Sequence, residues 1–418
     1  MFQFIMILMR RIQDRNYDII IVGAGIIGLT IAKLFGSTSL RVALMDKNEL
    51  SSNVALGKNR DQNFDPRVSA LSIASKNILK DLNAWQSISH DRLCNYLNMQ
   101  VWDADGTGQI NFSAKELGQQ ELGVIVENSL LLRALTKTLA EESNIDFLFP
   151  YSITELEETE NNVKLKTTDG VQITGKLVIA ADGSNSKIRE LAGFSIREWD
   201  YDHHAIVTTV KTQQAHGKVA LQRFIETGPL AFLPLLMSLE DEDQNYCSIV
   251  WSATPERANE LMGLDNSDFC KDLNQSIEGR FGEIISCAER FCFPLKQRHA
   301  LEYARGRVVL AGDAAHSIHP LAGQGVNLGL LDAVALVNAV SEGLDAGREI
   351  FDPVVLNRYQ RKRQTHNLSM MWLMEGFKRL FAENALPIRW LRNIGMNGLD
   401  SLPVAKNYLA RRAMGINS

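Results

Sequence analysis

Short runs of apolar residues alternate with helical patterns in the first part of the chain. Residues 18–22 form a continuous β-branched run, which is typical of a strand buried on both faces of a parallel sheet. A helical stretch follows at residues 29–35, and a second apolar run follows at residues 41–45. This pattern predicts a strand–helix–strand unit with parallel strands.

Two kinds of strand pattern occur later in the chain. Residues 176–181 and 307–311 are again continuous apolar runs, whereas residues 205–210 and 247–251 alternate apolar and polar positions. Alternation indicates strands with one exposed face, so these segments predict an antiparallel sheet. A hairpin near residues 102–112 could join that sheet. From about residue 344 the pattern is helical, so the sequence predicts an α/β fold followed by helices.

The amino-acid composition excludes few classes of protein. The 418 residues exceed what one hydrophobic core usually organises, so we expect two domains and a small appendage. A net charge of −5 does not favour nucleic acid binding, although residues 355–418 hold 11 Lys and Arg against 3 Asp and Glu. The five cysteines show no metal-binding spacing, which predicts reduced thiols, no metal site and a cytoplasmic protein.

The apolar opening, residues 1–11, is too short to span a bilayer. Its arginines follow the apolar part, which is the wrong order for a signal peptide. We therefore expect a disordered extension or an upstream start codon, with a weak membrane-surface contact as the alternative. No other segment approaches a transmembrane span by sequence, so we expect a soluble or peripheral protein.

A glycine fingerprint lies between the first predicted strand and its helix. Gly23 allows a tight turn, Gly25 lets a pyrophosphate approach the backbone, and Gly28 lets the helix and strand pack closely. The free N–H groups of the helix start attract phosphates. Asp46, about 20 residues on, can accept hydrogen bonds from ribose hydroxyls. The unit predicts dinucleotide binding and does not separate FAD from NAD.

Polar loops follow the two later buried strands. The first loop begins with Asp182 and Gly183, and the second contains Asp313 and His316 and continues into a glycine-rich run before a helix. Both loops place a carboxylate at the carboxyl end of a strand, where open α/β sheets bind ligands.

Taken in order, these three segments resemble the signatures of the flavin aromatic hydroxylases of the p-hydroxybenzoate hydroxylase type. The resemblance implies FAD as cofactor and NAD(P)H as transient co-substrate, with Asp313 on the ribityl chain and Pro320 on the substrate side of the flavin ring. Asp182 and Gly183 would lie near the FAD pyrophosphate and the path of NAD(P)H, and Arg67 would also contact FAD. Backbone N–H groups near the pyrimidine end of the ring would come from the turn that contains Gly323, Gly325, Val326 and Asn327.

Longer stretches are similar to the ubiquinone-biosynthesis hydroxylases, from about residue 17 to the C-terminus. Several of them look closest to the bacterial 2-octaprenylphenol hydroxylases, which act at ring carbon 5. Others, at residues 298–303 and 358–360, resemble the sister demethoxyubiquinol hydroxylases. The stretches that resemble the family are residues 126–129, 199–205, 228–235, 247–252, 319–329 and 412–415.

The resemblance implies a discontinuous Rossmann-type FAD-binding domain, an antiparallel-sheet substrate domain that roofs the substrate, and a C-terminal helical region. In that order they comprise residues 17–99 with 123–194 and 298–343, residues 100–122 with 195–297, and residues 344–418.

The resemblance also implies the reaction. NAD(P)H would reduce FAD, O2 would be held as a peroxide at the flavin C4a carbon, and one oxygen atom would pass to the ring of a polyprenylated phenol or quinol, at ring carbon 5. By side-chain type alone, His203, His204 and Tyr201 are candidate proton acceptors, with Pro320 beside the substrate, and a structural role for each stays open. The alternatives are hydroxylation at another ring carbon, a flavin reductase that does not activate O2, and a non-catalytic FAD-bearing assembly subunit.

Apolar residues recur at helical spacing within the basic tail. We expect them to contact an anionic membrane surface, at the inner face of a bacterial membrane, or a quinone-biosynthesis complex. Packing on a neighbouring helix or in a homo-oligomer interface is an equal alternative. The apolar set is Met370, Met371, Trp372, Met374, Phe377, Leu380 and Phe381, and the cations are Lys378, Arg379, Arg389 and Arg392.

Overall fold

The computed structural model describes residues 16–50, 64–88, 92–104, 106–238, 244–317, 325–382, 393 and 395–415. The predicted N-terminal extension lies outside these residues. Within them, three sheets and the helices that cover the sheets form the fold.

The strands and helices are named in chain order. The strands are β1 (Asn16–Val22), β2 (Val42–Met45), β3 (Val68–Leu71), β4 (Cys94–Tyr96), β5 (Asn98–Asp103), β6 (Gln109–Ser113), β7 (Gly123–Glu127), β8 (Ile145–Leu148), β9 (Ile153–Glu158), β10 (Val163–Thr167), β11 (Gln172–Ala180), β12 (Ile196–Thr212), β13 (Val219–Ile225), β14 (Gly228–Leu235), β15 (Tyr246–Ala253), β16 (Ile284–Cys287), β17 (Phe291–Ala300), β18 (Ala304–Arg305), β19 (Val308–Leu310) and β20 (His316–Ser317). The helices are α1 (Ile26–Gly36), α2 (Ile73–Asp81), α3 (Asn128–Leu139), α4 (Lys187–Leu191), α5 (Pro255–Gly263), α6 (Asn266–Ser276), α7 (Gly325–Asp345), α8 (Pro353–Ala382) and α9 (Pro403–Ala413).

An eight-stranded sheet contains the predicted strand–helix–strand unit. Its strand order is β18-β19-β11-β1-β2-β8, with β9 and β10 attached beside β11, and β19, β11, β1, β2 and β8 run parallel. The central strand β1 is apolar from Ile19 to Val22 because α1 and α7 contribute to one continuous core with it. The four predicted buried strands are confirmed.

A nine-stranded sheet forms the second part, in the order β20-β17-β12-β15-β14-β13-β5-β6, with β16 beside β12. Its pairs are antiparallel, as predicted, except that β5 runs parallel to β13. Strand β5 can run parallel to β13 because a long crossover through the other sheet connects the two strands. A tight turn would instead have made them antiparallel. The predicted hairpin of β5 and β6 does join this sheet.

The two faces of the nine-stranded sheet have different coverings. On one face, Phe269 and Leu273 of α6 pack with Ile206 and Trp251 of the sheet. On the other face, Leu233 of β14 packs with residues of the small sheet β3-β7-β4. The second face therefore points towards the part of the chain that contains the parallel sheet, and we propose the predicted domain division on this basis. Three strands cross this predicted division, because β5 and β17 span its boundaries and β20 pairs with β17.

The C-terminal region is helical in its described part. Helix α7 is long and apolar enough to span a membrane by length and composition, but its apolar residues contribute to the core shared with β1 and α1. Further on, helical residues 395–400 lie along β6. The N–H groups of Gly108, Gln109 and Asn111 donate to side-chain oxygens of that region, namely those of Asn393, Asn397 and Asp400.

The five cysteines are free, as predicted. Three of them, Cys94, Cys247 and Cys270, are buried, and burial raises the pKa of Cys270 to about 12. Among the described residues, no group of three or more His, Cys, Asp or Glu side chains could hold a metal ion.

Candidate active site

Three loops leave the eight-stranded sheet at one edge. Strand β11 lies between β1 and β19, and all three run parallel, with Ala180 beside both Val22 and Leu310. The glycine fingerprint, the Asp182 loop and the Asp313 loop follow these three strands, so they lie side by side. The three segments named in the sequence analysis are therefore neighbours at this edge.

The fingerprint glycines occupy different environments. Gly23 has a φ of +109°, and a Cβ there would lie 2.3 Å from the Ala181 carbonyl oxygen. A Cβ on Gly28 would lie 1.8 Å from the Gly23 oxygen, so helix and strand need both glycines to pack. A Cβ on Gly25 would meet no atom within 4 Å. Gly25 therefore borders open space, as a site for a ligand requires.

The start of α1 is open to that space. No side chain caps the helix, and its first turn has no acidic residue. Asp46 lies beside the turn, where its Oδ2 accepts a hydrogen bond from the Ala24 N–H at 2.7 Å and its Oδ1 accepts one from the Asn48 N–H at 2.9 Å. The first-turn N–H groups and the helix dipole are therefore available for a phosphate.

Asp182 has one satisfied and one unsatisfied oxygen. Its Oδ2 accepts hydrogen bonds from the N–H groups of Lys187 and Ile188, at 2.8 and 3.2 Å, at the start of α4. Its Oδ1 is buried and accepts no hydrogen bond within the described structure. Burial raises the pKa of this carboxyl more than the neighbouring donors lower it. Gly183 follows with a φ of +85° and nothing within 4 Å of a Cβ position.

Asp313 lies in a short turn after β19. Desolvation raises the pKa of its carboxyl, although the nearby His316 and the Arg67 guanidinium oppose that shift. The side chain nevertheless reaches open space, and no hydrogen bond to its carboxylate comes from a described residue. Arg67 is exposed, and its guanidinium carbon lies 6.0 Å from the centre of the Phe293 ring. Arg67 thus stands between the Asp313 loop and the nine-stranded sheet.

The sheet face opposite Arg67 carries one of the predicted histidines. His203 pairs with Leu295, and Ala205 pairs with Phe293, so all four share the face that Arg67 approaches. Because side chains alternate along a strand, His204 points to the other face.

On that other face, His204 pairs with Ala253 and lies on the side that α5 and α6 cover. The Tyr201 side chain lies outside the described part of the chain. Of the two candidates whose side chains are described, His203 is therefore the one on the face that Arg67 approaches.

The glycine-rich run after β20 is described only from its helix onward. Pro320 and Gly323 lie outside the described residues. Gly325 begins α7 with nothing within 4 Å of a Cβ position, and Val326 is half-buried.

The Asn327 side chain is buried and bonded within the protein. Its Oδ1 accepts from the Ser72 N–H at 2.9 Å and its Nδ2 donates to the Ala70 oxygen at 2.8 Å. The side chain therefore fixes the start of α7 to the end of β3.

A buried polar cluster behind the Asp313 loop was missed by the sequence analysis. Its centre is Asp332 of α7, whose carboxylate bonds to His316 and to Arg363 of α8. The sequence signal for this cluster was Asp332, a single acid within the apolar run of residues 326–337. Helical periodicity alone does not explain an acid at a buried position.

These observations fit FAD. The uncapped start of α1 suits a pyrophosphate, the carboxylate of Asp46 suits a ribose, and the unsatisfied Asp182 oxygen and the open Asp313 carboxylate suit hydroxyl donors. All of them lie along one edge of the parallel sheet.

Comparison with known proteins agrees with this geometry. The family model for an FAD binding domain matches residues 16–371. The 3-demethoxyubiquinol 3-hydroxylase of Escherichia coli is 33% identical over 399 residues, which cover 96% of this chain and 98% of that protein. The mitochondrial ubiquinone biosynthesis monooxygenase of Xenopus tropicalis is 34% identical over 442 residues, covering 94% of this chain and 92% of its own.

Solved structures give the same fold. The p-nitrophenol 4-monooxygenase of Pseudomonas putida superposes with a TM-score of 0.75 at 17% identity, over 96% of this chain and 99% of that chain. The chain therefore belongs to the FAD binding domain family and is an FAD-dependent monooxygenase, in the group that includes the hydroxylases of ubiquinone biosynthesis.

Proposed function

We propose that this protein hydroxylates the ring of a polyprenylated phenol or quinol in ubiquinone biosynthesis, with NAD(P)H as electron donor and O2 as the oxygen source. One observation carries the proposal: polar strand ends with Asp313 face an apolar sheet surface with Phe293 and Leu295, and Arg67 lies between them. The relatives named for hydroxylation in ubiquinone biosynthesis support a ring of this kind.

Different residues of the site would contact the cofactor and the substrate. Bound FAD supplies the redox chemistry, which takes a hydride from NAD(P)H and transfers one oxygen atom of O2 to the ring. The start of α1, Asp182 and Asp313 would bind the polar chain of the cofactor. Phe293 and Leu295 would exclude water from the ring, which limits the wasteful release of hydrogen peroxide. His203, on the same face, is the proposed acceptor of the phenol proton.

Ring carbon 5 is the proposed position, on the strength of the stretches that resemble the 2-octaprenylphenol hydroxylases. A second candidate is hydroxylation of a demethoxyubiquinol, because a protein of that name in Escherichia coli matches almost the whole chain. The two candidates differ in the ring substituents of the substrate and in which ring carbon would face the flavin.

An assay with isotopic oxygen tests the reaction and the position together. The purified FAD-loaded protein is given NAD(P)H, 18O2 and either a 2-polyprenylphenol or a demethoxyubiquinol. We expect one 18O atom in the phenol product, at carbon 5 by NMR. Labelled product from the demethoxyubiquinol alone would move the assignment to the second candidate. Consumption of NAD(P)H without a labelled ring would indicate a reductase, and no consumption would indicate an assembly subunit.

The neighbouring histidines offer a matched pair for the proton acceptor. We expect His203→Gln to lower kcat by about 10²-fold or more, because general base catalysis typically contributes that much. His204→Gln, on the opposite face of the same strand, should leave kcat within about twofold. Equal effects of the two changes, with an unaltered pH profile in His203→Gln, would refute the assignment.

We also propose that the C-terminal region contacts an anionic membrane surface from the cytoplasmic side, where a polyprenylated substrate resides. Trp372 of α8 is 68% exposed and Val404 of α9 is 86% exposed, with Leu402 and Tyr408 also exposed nearby in sequence. Met371, by contrast, is buried. Outside the described part of the chain lie the side chains of Met374, Phe377, Leu380, Phe381, Lys378, Arg379, Arg389 and Arg392. Exposed apolar side chains within a basic segment are typical of interfacial binding.

Vesicle sedimentation tests the membrane contact. Reversing Lys378, Arg379, Arg389 and Arg392 to Glu should abolish binding to vesicles with anionic lipid, at about 1 kcal/mol per cation. Reversing the exposed Lys166, Lys187 and Lys271 is the control and should not reduce binding. Unchanged binding in the quadruple variant would remove the proposal, and a change in oligomeric state instead would indicate a protein interface.

A further inference from the structure

The loop around Asp313 bonds at two points to one carboxylate oxygen, Asp332 Oδ2, and Arg189 Nη1 donates separately to the Ala314 oxygen at 2.9 Å. The Gly312 N–H donates to Asp332 Oδ2 at 3.1 Å, and His316 Nε2 lies 2.5 Å from the same oxygen. These two attachments flank Asp313 on both sides. The position of the Asp313 carboxylate towards a cofactor therefore depends on where Asp332 lies.

The other oxygen of Asp332 is bound to the C-terminal helix. Arg363 Nε donates to Oδ1 at 2.6 Å, and Asn367 Nδ2 donates to it at 3.2 Å. Arg363 also donates to the Leu328 oxygen and to Asn367 Oδ1. All these side chains are buried, so α8 fixes the carboxylate by direct bonds.

The electrostatics of the cluster keep Asp332 charged. Burial alone would raise its pKa, but His316 and Arg363 outweigh burial and lower the pKa of Asp332 to about 2. The second histidine nearby adds no charge, because burial and the neighbouring His316 and Arg197 lower the pKa of His299 to about 4. A buried carboxylate with partners on two sides is destabilised when either partner is lost.

We propose that Asp332, His316 and Arg363 are positioning residues for the cofactor, through which α8 sets the affinity of the Asp313 loop for FAD. None of the three needs to touch the cofactor. The proposal rests on FAD binding by the chain and not on the identity of the ring substrate, so the isotopic oxygen assay can fail without affecting it.

Two buried arginines provide the test. Arg363 bonds to Asp332, whereas Arg307 bonds to the carbonyl oxygens of Lys176 and Glu160 next to the opposite end of β19. Both are less than a tenth exposed, so Arg363→Met and Arg307→Met remove comparable buried charges from one domain. The readout is the Kd for FAD, measured by quenching of flavin fluorescence on titration into apoprotein, below the melting temperature of every variant.

We expect Arg363→Met to raise the Kd about 10-fold over the wild type, within the range measured for coupling through packed residues. Arg307→Met should change it by less than about twofold, since it lies away from the loop. Equal Kd values for the two variants would overturn the proposal.

A second pair covers the case in which Arg363→Met does not fold. His316→Leu removes the bond on the loop side, and His316→Gln keeps a side-chain donor that can reach Asp332. We expect about a 10-fold weaker Kd for FAD in His316→Leu and recovery to within about threefold in His316→Gln. A merely structural role would change the melting temperature of the apoprotein without this rescue of FAD affinity, and that outcome would also overturn the proposal.

Discussion

Asp313 and Asp332 are two carboxylates of one domain, close enough to influence each other, and the protein treats them in opposite ways. Asp332 accepts hydrogen bonds on both oxygens from four groups, and its pKa is lowered to about 2. Asp313 has a raised pKa and accepts no hydrogen bond from the described residues around it. An acid that the fold has satisfied contributes to stability, whereas an acid left unsatisfied indicates a ligand.

The same contrast separates Gly28 from Gly25. The space beside Gly28 is filled by the backbone of Gly23, and the space beside Gly25 is empty. Four predictions test this contrast. Positions that protein atoms fill should determine the stability of the apoprotein, whereas positions that border open space should determine the affinity for FAD.

The largest effect is expected at Asp332. Asp332→Ala should lower the free energy of unfolding of the apoprotein by about 3–5 kcal/mol, because Arg363 is left as a buried charge without its carboxylate. Chemical denaturation followed by circular dichroism measures this. A loss below about 1 kcal/mol would show that the cluster is not held by the ion pair.

The glycines should show a smaller effect with a clear division. Gly28→Ala should destabilise the apoprotein by about 1–3 kcal/mol, since its Cβ would overlap the Gly23 oxygen. Gly25→Ala should leave apoprotein stability unchanged and weaken FAD binding, because the methyl group enters the open space. Denaturation and FAD titration of both variants check the division, and a destabilised Gly25→Ala would contradict it.

His299 predicts a dependence of stability on pH. Its pKa is about 4 in the folded protein against 6.5 in the unfolded chain, so the unfolded chain binds more protons as the pH falls. Stability should therefore decrease by about 2 kcal/mol between pH 7 and pH 5, and His299→Gln should remove most of that decrease. Asp332 does not contribute in this window, because its stabilisation is lost only as the pH falls through its unfolded value of 3.8 towards 2. Denaturation midpoints at a series of pH values test the slope.

The smallest effect on stability is expected at Asp313. Asp313→Ala should change the free energy of unfolding of the apoprotein by less than about 0.5 kcal/mol, since no described donor loses a partner. The affinity for FAD should nevertheless fall about 10- to 100-fold, the value of a hydrogen bond to a charged group. A stability loss as large as that of Asp332→Ala would remove the distinction between the two acids.

The cofactor edge could be predicted from the sequence because its determinants are local. A buried strand, a glycine turn and an acid at a fixed spacing are adjacent in the chain, and parallel strands bring such ends together. The periodicity of residues 205–210 likewise predicted a strand that the structure contains, but the predicted exposed face was wrong, because none of these residues is exposed.

The remainder depends on contacts between distant segments. The bond from Asp332 to Arg363 joins two helices, and its existence follows from their packing rather than from either helix alone. The register of β12 against β17 determines which face of the sheet His203 and His204 occupy. A bulge shifts this register between Asp200 and His203. A one-residue shift exchanges the two faces of a strand, so side-chain type could not select between them.

The bonding of β6 by Asn393, Asn397 and Asp400 has a consequence for biosynthesis. Strand β6 is the last strand of its sheet, and an uncovered strand edge recruits strands from other molecules. The side chains that accept from the N–H groups of Gly108, Gln109 and Asn111 are synthesised later, at separations of 285 to 289 residues, or about two-thirds of the chain. A nascent or prematurely terminated chain that lacks these residues therefore leaves the edge of β6 uncovered. Such a chain is more prone to aggregate than the chain in which the C-terminal region has been synthesised.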